Sequence, residues 1–150
     1  MNGESINDVA HAIQLALAPV FLLTGIAGVL NVMTHRLARI IDRSRYLEES
    51  WNTFADDSRE AVQRELLGLE RRRRLASWAI NASTAAALLV CLVIAALFAE
   101  ALTGLPLQWL AGVLFTGSTL SLVGGLTLFL REVHLATRTV RIRTSLPMPG

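Results

Sequence analysis

RRRRLASWAINASTAAALLVCLVIAALFAEALTGLP, residues 71–106, is the stretch on which the fold turns. Four consecutive arginines stop abruptly, residues 75–99 carry no charged side chain, and Glu100 precedes a turn marked by Gly104 and Pro106. About 20 apolar residues, rising about 1.5 Å each, cross a hydrocarbon core of about 30 Å, so this run is long enough to span a bilayer. Gly104 tolerates positive φ and Pro106 cannot continue a helix from within. The run therefore ends in a tight reversal.

Outward from this stretch the pattern repeats. Residues 9–35 and 101–130 are also free of Asp, Glu, Lys and Arg. The sequence predicts an all-α, polytopic membrane protein with three transmembrane helices at about 11–33, 76–98 and 107–130, the 150 residues forming one membrane domain. Composition agrees: 53% of residues are hydrophobic and 17% charged, against about 25% charged in an average soluble domain. Mean hydropathy is +0.47. The single cysteine, Cys91, cannot form an intramolecular disulfide, and three scattered histidines offer no Cys/His zinc site, so no metal or other cofactor is expected.

All 14 basic residues are arginines, and their placement sets the expected orientation. Ten lie in 34–74 and four in the tail 131–150, with none in 1–8 or 99–106. Cytoplasmic flanks retain positive charge, which puts the N terminus outside and 34–74 and the basic tail in the cytoplasm. A cleaved signal peptide ending at Ala16-Leu17-Ala18 is the competing interpretation. The uncharged start, Pro19 after the cut and the continuing apolar run Val20-Phe21-Leu22-Leu23 favour a retained span.

Segment 34–74 carries helical periodicity. Leu37, Ile40, Ser44, Leu47, Trp51 and Phe54 recur at three- and four-residue steps, a coiled-coil-like stripe, with charged residues between them. No helix breaker stands between Met33 and Tyr46, so span one is expected to run on as one rod, ending near Asn52-Thr53. Asp57 to Glu60 form a capping box that starts a second helix, with Val62, Leu66 and Leu69 on its apolar side. Glu60/Arg64 and Glu70/Arg74 sit in the favourable acid-first order. The expected object is a cytoplasmic antiparallel helical hairpin whose legs continue spans one and two. At two heptads per leg it would lean on other copies or on a protein partner.

Small residues at Gly117, Ser121 and Gly125 form a strip on span three suited to close helix packing, within one chain or between chains. Asn31, His35 and Arg39 follow one another by a turn and would line a vestibule if several first spans surrounded an axis. Their ordinary alternative is bonding to neighbouring helices and headgroups. Arg71, Arg72, Arg73 and Arg74, with Arg131 and Arg138, suit anionic lipid headgroups. Arg131, His134, Arg138 and Arg141 share a face opposite Val133, Ala136 and Val140, an amphipathic extension of span three. A nucleic-acid patch at 71–74 is disfavoured, because no aromatics interleave and Glu65 and Glu70 crowd it.

No Asp, Glu, Lys, Arg or His lies deep within the three spans, where pumps and ion-coupled transporters usually place one. GxSxG, HExxH, P-loop and CxxC motifs are absent from the sequence. These features lead to a self-associating, non-enzymatic interaction or assembly module. A homo-oligomeric passive ion pore is the alternative, and a membrane enzyme a distant third.

Ala18-Pro19-Val20-Phe21-Leu22-Leu23, Asn31 through Arg43 with its Arg-Leu-x-Arg-Ile-x-Asp-Arg core, and Glu70 through Leu75 resemble the bacterial membrane family known as domain of unknown function 2721. The resemblance covers most of residues 10–130 and is most specific at 36–43, with His35 where a polar residue such as Asn is expected. It implies three spans and brings no substrate, cofactor or reaction.

Overall fold

A computed structural model of the protein describes residues 3–51 and 56–140, with side chains described for 9–51 and 58–136. Within these residues the chain forms three helices and no strand: α1 (Gly3–Glu49), α2 (Asp56–Thr103) and α3 (Gln108–Val140). At about 1.5 Å per residue, α1 and α2 are each about 70 Å long and α3 about 50 Å. Each rod exceeds the thickness of a hydrocarbon core, and each contains a segment long and apolar enough to cross one.

Helix α1 passes through Pro19 without ending, and no break separates its apolar half from its charged half. It stops at Glu49, where the Ser50 N–H still reaches the Tyr46 carbonyl at 3.1 Å. That end falls three residues before the one expected at Asn52. Phe54 and the Asn52-Thr53 pair lie outside the described residues. Helix α2 starts at Asp56, one residue ahead of the expected cap, and the Asp57 side chain is also outside the description. Disagreements of one or two residues are ordinary at fraying ends.

Gly104 closes α2 with φ +70°, and its N–H bonds the Glu100 carbonyl at 2.8 Å. This left-handed cap is inexpensive only without a Cβ, which is why glycine stands there. Leu105 donates its N–H to Thr103 Oγ1 at 3.4 Å, and α3 begins two residues after Pro106. The turn foreseen from Gly104 and Pro106 is present.

Helix α2 is the central rod. Arg43 pairs with Glu65 and Met33 meets Ser83, so α1 descends in number as α2 ascends. Arg72 pairs with Glu132 and Ser121 bonds Ala82, so α3 is likewise antiparallel to α2. Helices α1 and α3 touch far less than either touches α2. Three apolar clusters follow one another along the assembly. Ile40, Leu47, Val62, Leu69 and Ala76 form the first, flanked by Leu37, Trp51 and Leu66. Ile26, Ala86 and Val90 form the second, and Val93, Ala96 and Ala111 the third. The seven-residue spacing of Val62, Leu69 and Ala76 keeps one stripe of α2 facing α1.

Outside these seams the apolar surface is exposed: Phe21, Trp78, Leu88, Trp109, Leu120 and Leu130 are each at least 63% accessible. A monomeric soluble protein rarely leaves so much contiguous apolar surface in water.

Candidate functional site

At the level where the apolar segments give way to charge, all three helices contribute to one ionic junction. Glu132 of α3 is completely buried. Arg72 of α2 donates both Nε, at 3.0 Å, and Nη2, at 2.9 Å, to Glu132 Oε1. Arg36 of α1 brings Nε to 3.4 Å from Oε2. This contact is electrostatic, since Oε2 accepts no hydrogen bond. The Arg36 guanidinium also lies 5.6 Å from the Phe129 ring centroid, one turn before Glu132.

Two guanidiniums around one carboxylate leave the junction with one surplus positive charge. Burying a carboxylate is costly unless charge and hydrogen bonds compensate it, and Arg72 supplies both. Among the described residues, the junction is where α1 is tied to α3 through side chains of opposite charge. Arg72 was expected at lipid headgroups with its three neighbours. The structure instead turns it inward, with its side chain 24% exposed. Arg71 is exposed, while Arg73 and Arg74 share Glu70, at 3.2 Å and 3.8 Å. Glu60 pairs with Arg64 as the acid-first spacing foresaw.

The small-residue strip of α3 lies against α2 of the same chain. A Cβ on Gly125 would stand 2.7 Å from Ser83 Oγ and 3.0 Å from the Ala79 carbonyl oxygen, so the two backbones meet there. Ser121 Oγ donates to the Ala82 carbonyl at 2.8 Å. Gly117 is looser, with Leu89 Cδ1 at 3.7 Å. Ser83, itself buried, contacts Met33 Sδ at 3.8 Å, so the close approach of α3 to α2 continues into α1.

Beyond the junction, Leu37, Ile40 and Leu47 of α1, with Trp51 just past its end, pack with Val62, Leu66 and Leu69 of α2. Arg43 reinforces the seam, donating Nε to Glu65 Oε1 at 2.9 Å. Asn31, His35 and Arg39 are all exposed on α1, and the structure brings them into no cluster. Arg131 is exposed, and the Arg138 side chain lies outside the described residues. Among the described residues no group of three His, Cys, Asp or Glu side chains gathers to hold a metal ion.

Glu132 and Arg36 were not singled out from the sequence. One signal for Glu132 was available: it is the sole acidic residue after Glu100, directly behind an apolar span in a basic tail.

A family model described as "Protein of unknown function (DUF2721)" matches residues 16–142. The chain belongs to this family. No curated protein and no solved structure matches it.

Proposed function

We propose that this member of the domain of unknown function 2721 family is an integral protein of a bacterial inner membrane and a non-enzymatic interaction and assembly module. In this reading α1, α2 and α3 each cross the bilayer, with the junction at Glu132 near the cytoplasmic boundary. The arginine distribution supports that orientation. So do Trp78 and Trp109, exposed near opposite ends of the apolar segments, where indoles favour the two interfaces. From Trp78 to Glu100 is about 33 Å of helix, close to the thickness of a hydrocarbon core.

The charged halves of α1 and α2 then stand in the cytoplasm as an antiparallel hairpin. Tyr46, 59% exposed, and Leu67, 68% exposed, are the observation that carries the interaction role, because lipid cannot cover them there. A groove beside Leu67, lined by Ile40, Leu66 and Leu69 with Glu48 and Glu70 at its rim, gives a partner helix an apolar seat between charges. A second copy of the chain is the first candidate partner. Native mass measurement in detergent, with Leu67→Cys crosslinking in a Cys91→Ser background, tests this. A crosslinked oligomer supports the role, and a stable monomer that never crosslinks and captures no protein defeats it.

A passive pore is the second reading, favoured by the exposed row Asn31, His35 and Arg39 on one stripe of α1. It requires a ring of copies. A conductance in reconstituted bilayers that is unchanged by Asn31→Leu and His35→Leu would remove that row from any path.

A further inference from the structure

On the flank of α2 away from the residues that meet α3, a groove of about 200 Å³ opens between α1 and α2. Leu37 and Ile41 form its α1 wall, and Arg73, Arg74, Ser77, Trp78 and Asn81 form its α2 wall. The polar groups descend in helical steps: guanidiniums at the charged end, then the Ser77 hydroxyl, then the Asn81 carboxamide. Arg74 and Asn81 are about 10 Å apart along the axis, at 1.5 Å per residue. Asn81 is exposed within an apolar segment and makes no protein hydrogen bond, an expensive position for a carboxamide in hydrocarbon. Arg73 and Arg74 share Glu70 and so leave one unit of positive charge at the mouth.

The geometry points to a glycerophospholipid bound in this groove, its phosphate at Arg73 and Arg74 and its ester carbonyls at Ser77 and Asn81. The order of groups along the groove is the order of groups in the lipid: anionic phosphate outermost, acceptor carbonyls beneath, acyl chains deepest against the exposed apolar face of α2 that carries Leu88 and Leu92. A phosphodiester's single negative charge matches the surplus at the mouth, and its carbonyls accept from Asn81, which otherwise goes unsatisfied. Trp78 at the same level supplies an indole N–H and a flat apolar side. A headgroup without acyl chains satisfies only the arginines, because nothing then reaches the deeper carboxamide. The inference rests on the membrane placement proposed above.

Native mass spectrometry of the full chain, released from nanodiscs of phosphatidylglycerol mixed with phosphatidylcholine, counts the phospholipid retained. One retained molecule per chain, enriched in phosphatidylglycerol, is expected. Arg73→Gln combined with Arg74→Gln weakens retention about tenfold or more, as loss of a charge-assisted contact implies. Asn81→Leu, which leaves every charge in place, weakens it several-fold. Arg71→Gln, on the same helix but outside the groove, leaves it unchanged. Retention that ignores Asn81→Leu, or that falls equally with Arg71→Gln, overturns the site in favour of diffuse charge. Displacement by inorganic phosphate alone assigns the arginines to a free anion and also overturns it. Recovery of the chain without detergent in the aqueous fraction would instead remove the membrane placement itself, whereas a membrane-embedded chain with unaffected retention removes the groove alone. Circular dichroism of each variant identifies those that fail to fold, and the two groove substitutions act at exposed side chains, so either one suffices for the test.

Discussion

Arg72 holds Glu132 through two N–H groups on one carboxylate oxygen, at 3.0 and 2.9 Å, across a sequence separation of 60 residues. Arg36 faces the other oxygen of the same carboxylate at 3.4 Å without a hydrogen bond. The junction is therefore asymmetric: Arg72 supplies directed bonds and Arg36 supplies field. Glu132 thus ties α3 to both other rods just where the uncharged segments end and the charged halves of α1 and α2 begin.

Glu132→Gln removes the carboxylate charge and leaves two guanidiniums without their counter-ion. Breaking a buried pair from one side costs about 3–5 kcal/mol, and that loss is expected in thermal unfolding of the detergent-solubilised chain. Arg72→Gln is expected to cost more than Arg36→Gln, because it also removes both hydrogen bonds. Replacing all three together, as Arg36→Met, Arg72→Met and Glu132→Leu, should recover most of the loss, since no buried charge is then left unpaired. Equal effects of the two single arginine variants would contradict the asymmetry.

The glycines of α3 separate into two kinds. Gly125→Ala drives a Cβ to 3.0 Å from the Ala79 backbone oxygen and 2.7 Å from Ser83 Oγ, and the backbone cannot yield as a flexible side-chain end can. Overpacking of this sort costs about 1–3 kcal/mol. Gly124→Ala meets nothing within 4 Å and should be neutral or stabilising by up to about 1 kcal/mol, from helix propensity alone. Gly117→Ala meets only Leu89 at 3.7 Å and belongs with Gly124. The measurement is the midpoint of thermal unfolding for the three variants side by side, and the expected order places Gly125→Ala alone at the bottom.

The long rods were legible because periodicity and the absence of breakers are local properties. Leu37, Ile40, Leu47 and Trp51 declare a stripe without knowledge of its partner, and the structure packs that stripe on Val62, Leu66 and Leu69. Gly104 and Pro106 marked the reversal for the same reason. Glu132 was not legible in this way. In sequence it stands beside Arg131 in a basic tail and resembles an ordinary flanking charge, while its partners are 60 and 96 positions away. Arg72 was hidden by its neighbours: four identical residues occupy four directions around a helix, and the fold alone decides which one turns inward. The strip Gly117, Ser121 and Gly125 announced close packing but carried nothing that identified the facing helix. The backbone of α2 at Ala79 and Ala82 supplied that answer.

Within the charged halves of α1 and α2, burial separates residues of the same type. Leu47 and Leu69 are 2% and 7% exposed, and truncating either to alanine should cost about 2–5 kcal/mol. Leu67, two residues before Leu69 but 68% exposed, should lose little on truncation if stability alone is read. Hydrogen exchange across residues 37–51 and 58–70 checks the first pair, with faster exchange expected on both helices because the cluster is shared. Exchange that rises on only one helix would mean that the two legs do not support each other.

Gly104 offers the sharpest test of the turn between α2 and α3. Its φ of +70° is the left-handed conformation, which an L side chain adopts at a cost of about 1–2 kcal/mol. No atom lies within 4 Å of the position its Cβ would take, so crowding adds nothing to that cost. Gly104→Ala should therefore lower stability by about 1 kcal/mol. Gly104→Asn should lower it less, because asparagine visits this region more readily, and Gly104→Val should lower it more. The Glu100 carbonyl, bonded by the Gly104 N–H at 2.8 Å, would lose that partner if the chain relaxed to negative φ instead. Thermal midpoints in the order Gly, Asn, Ala, Val would tie the reversal to backbone conformation, whereas four equal midpoints would mean that the turn tolerates another shape.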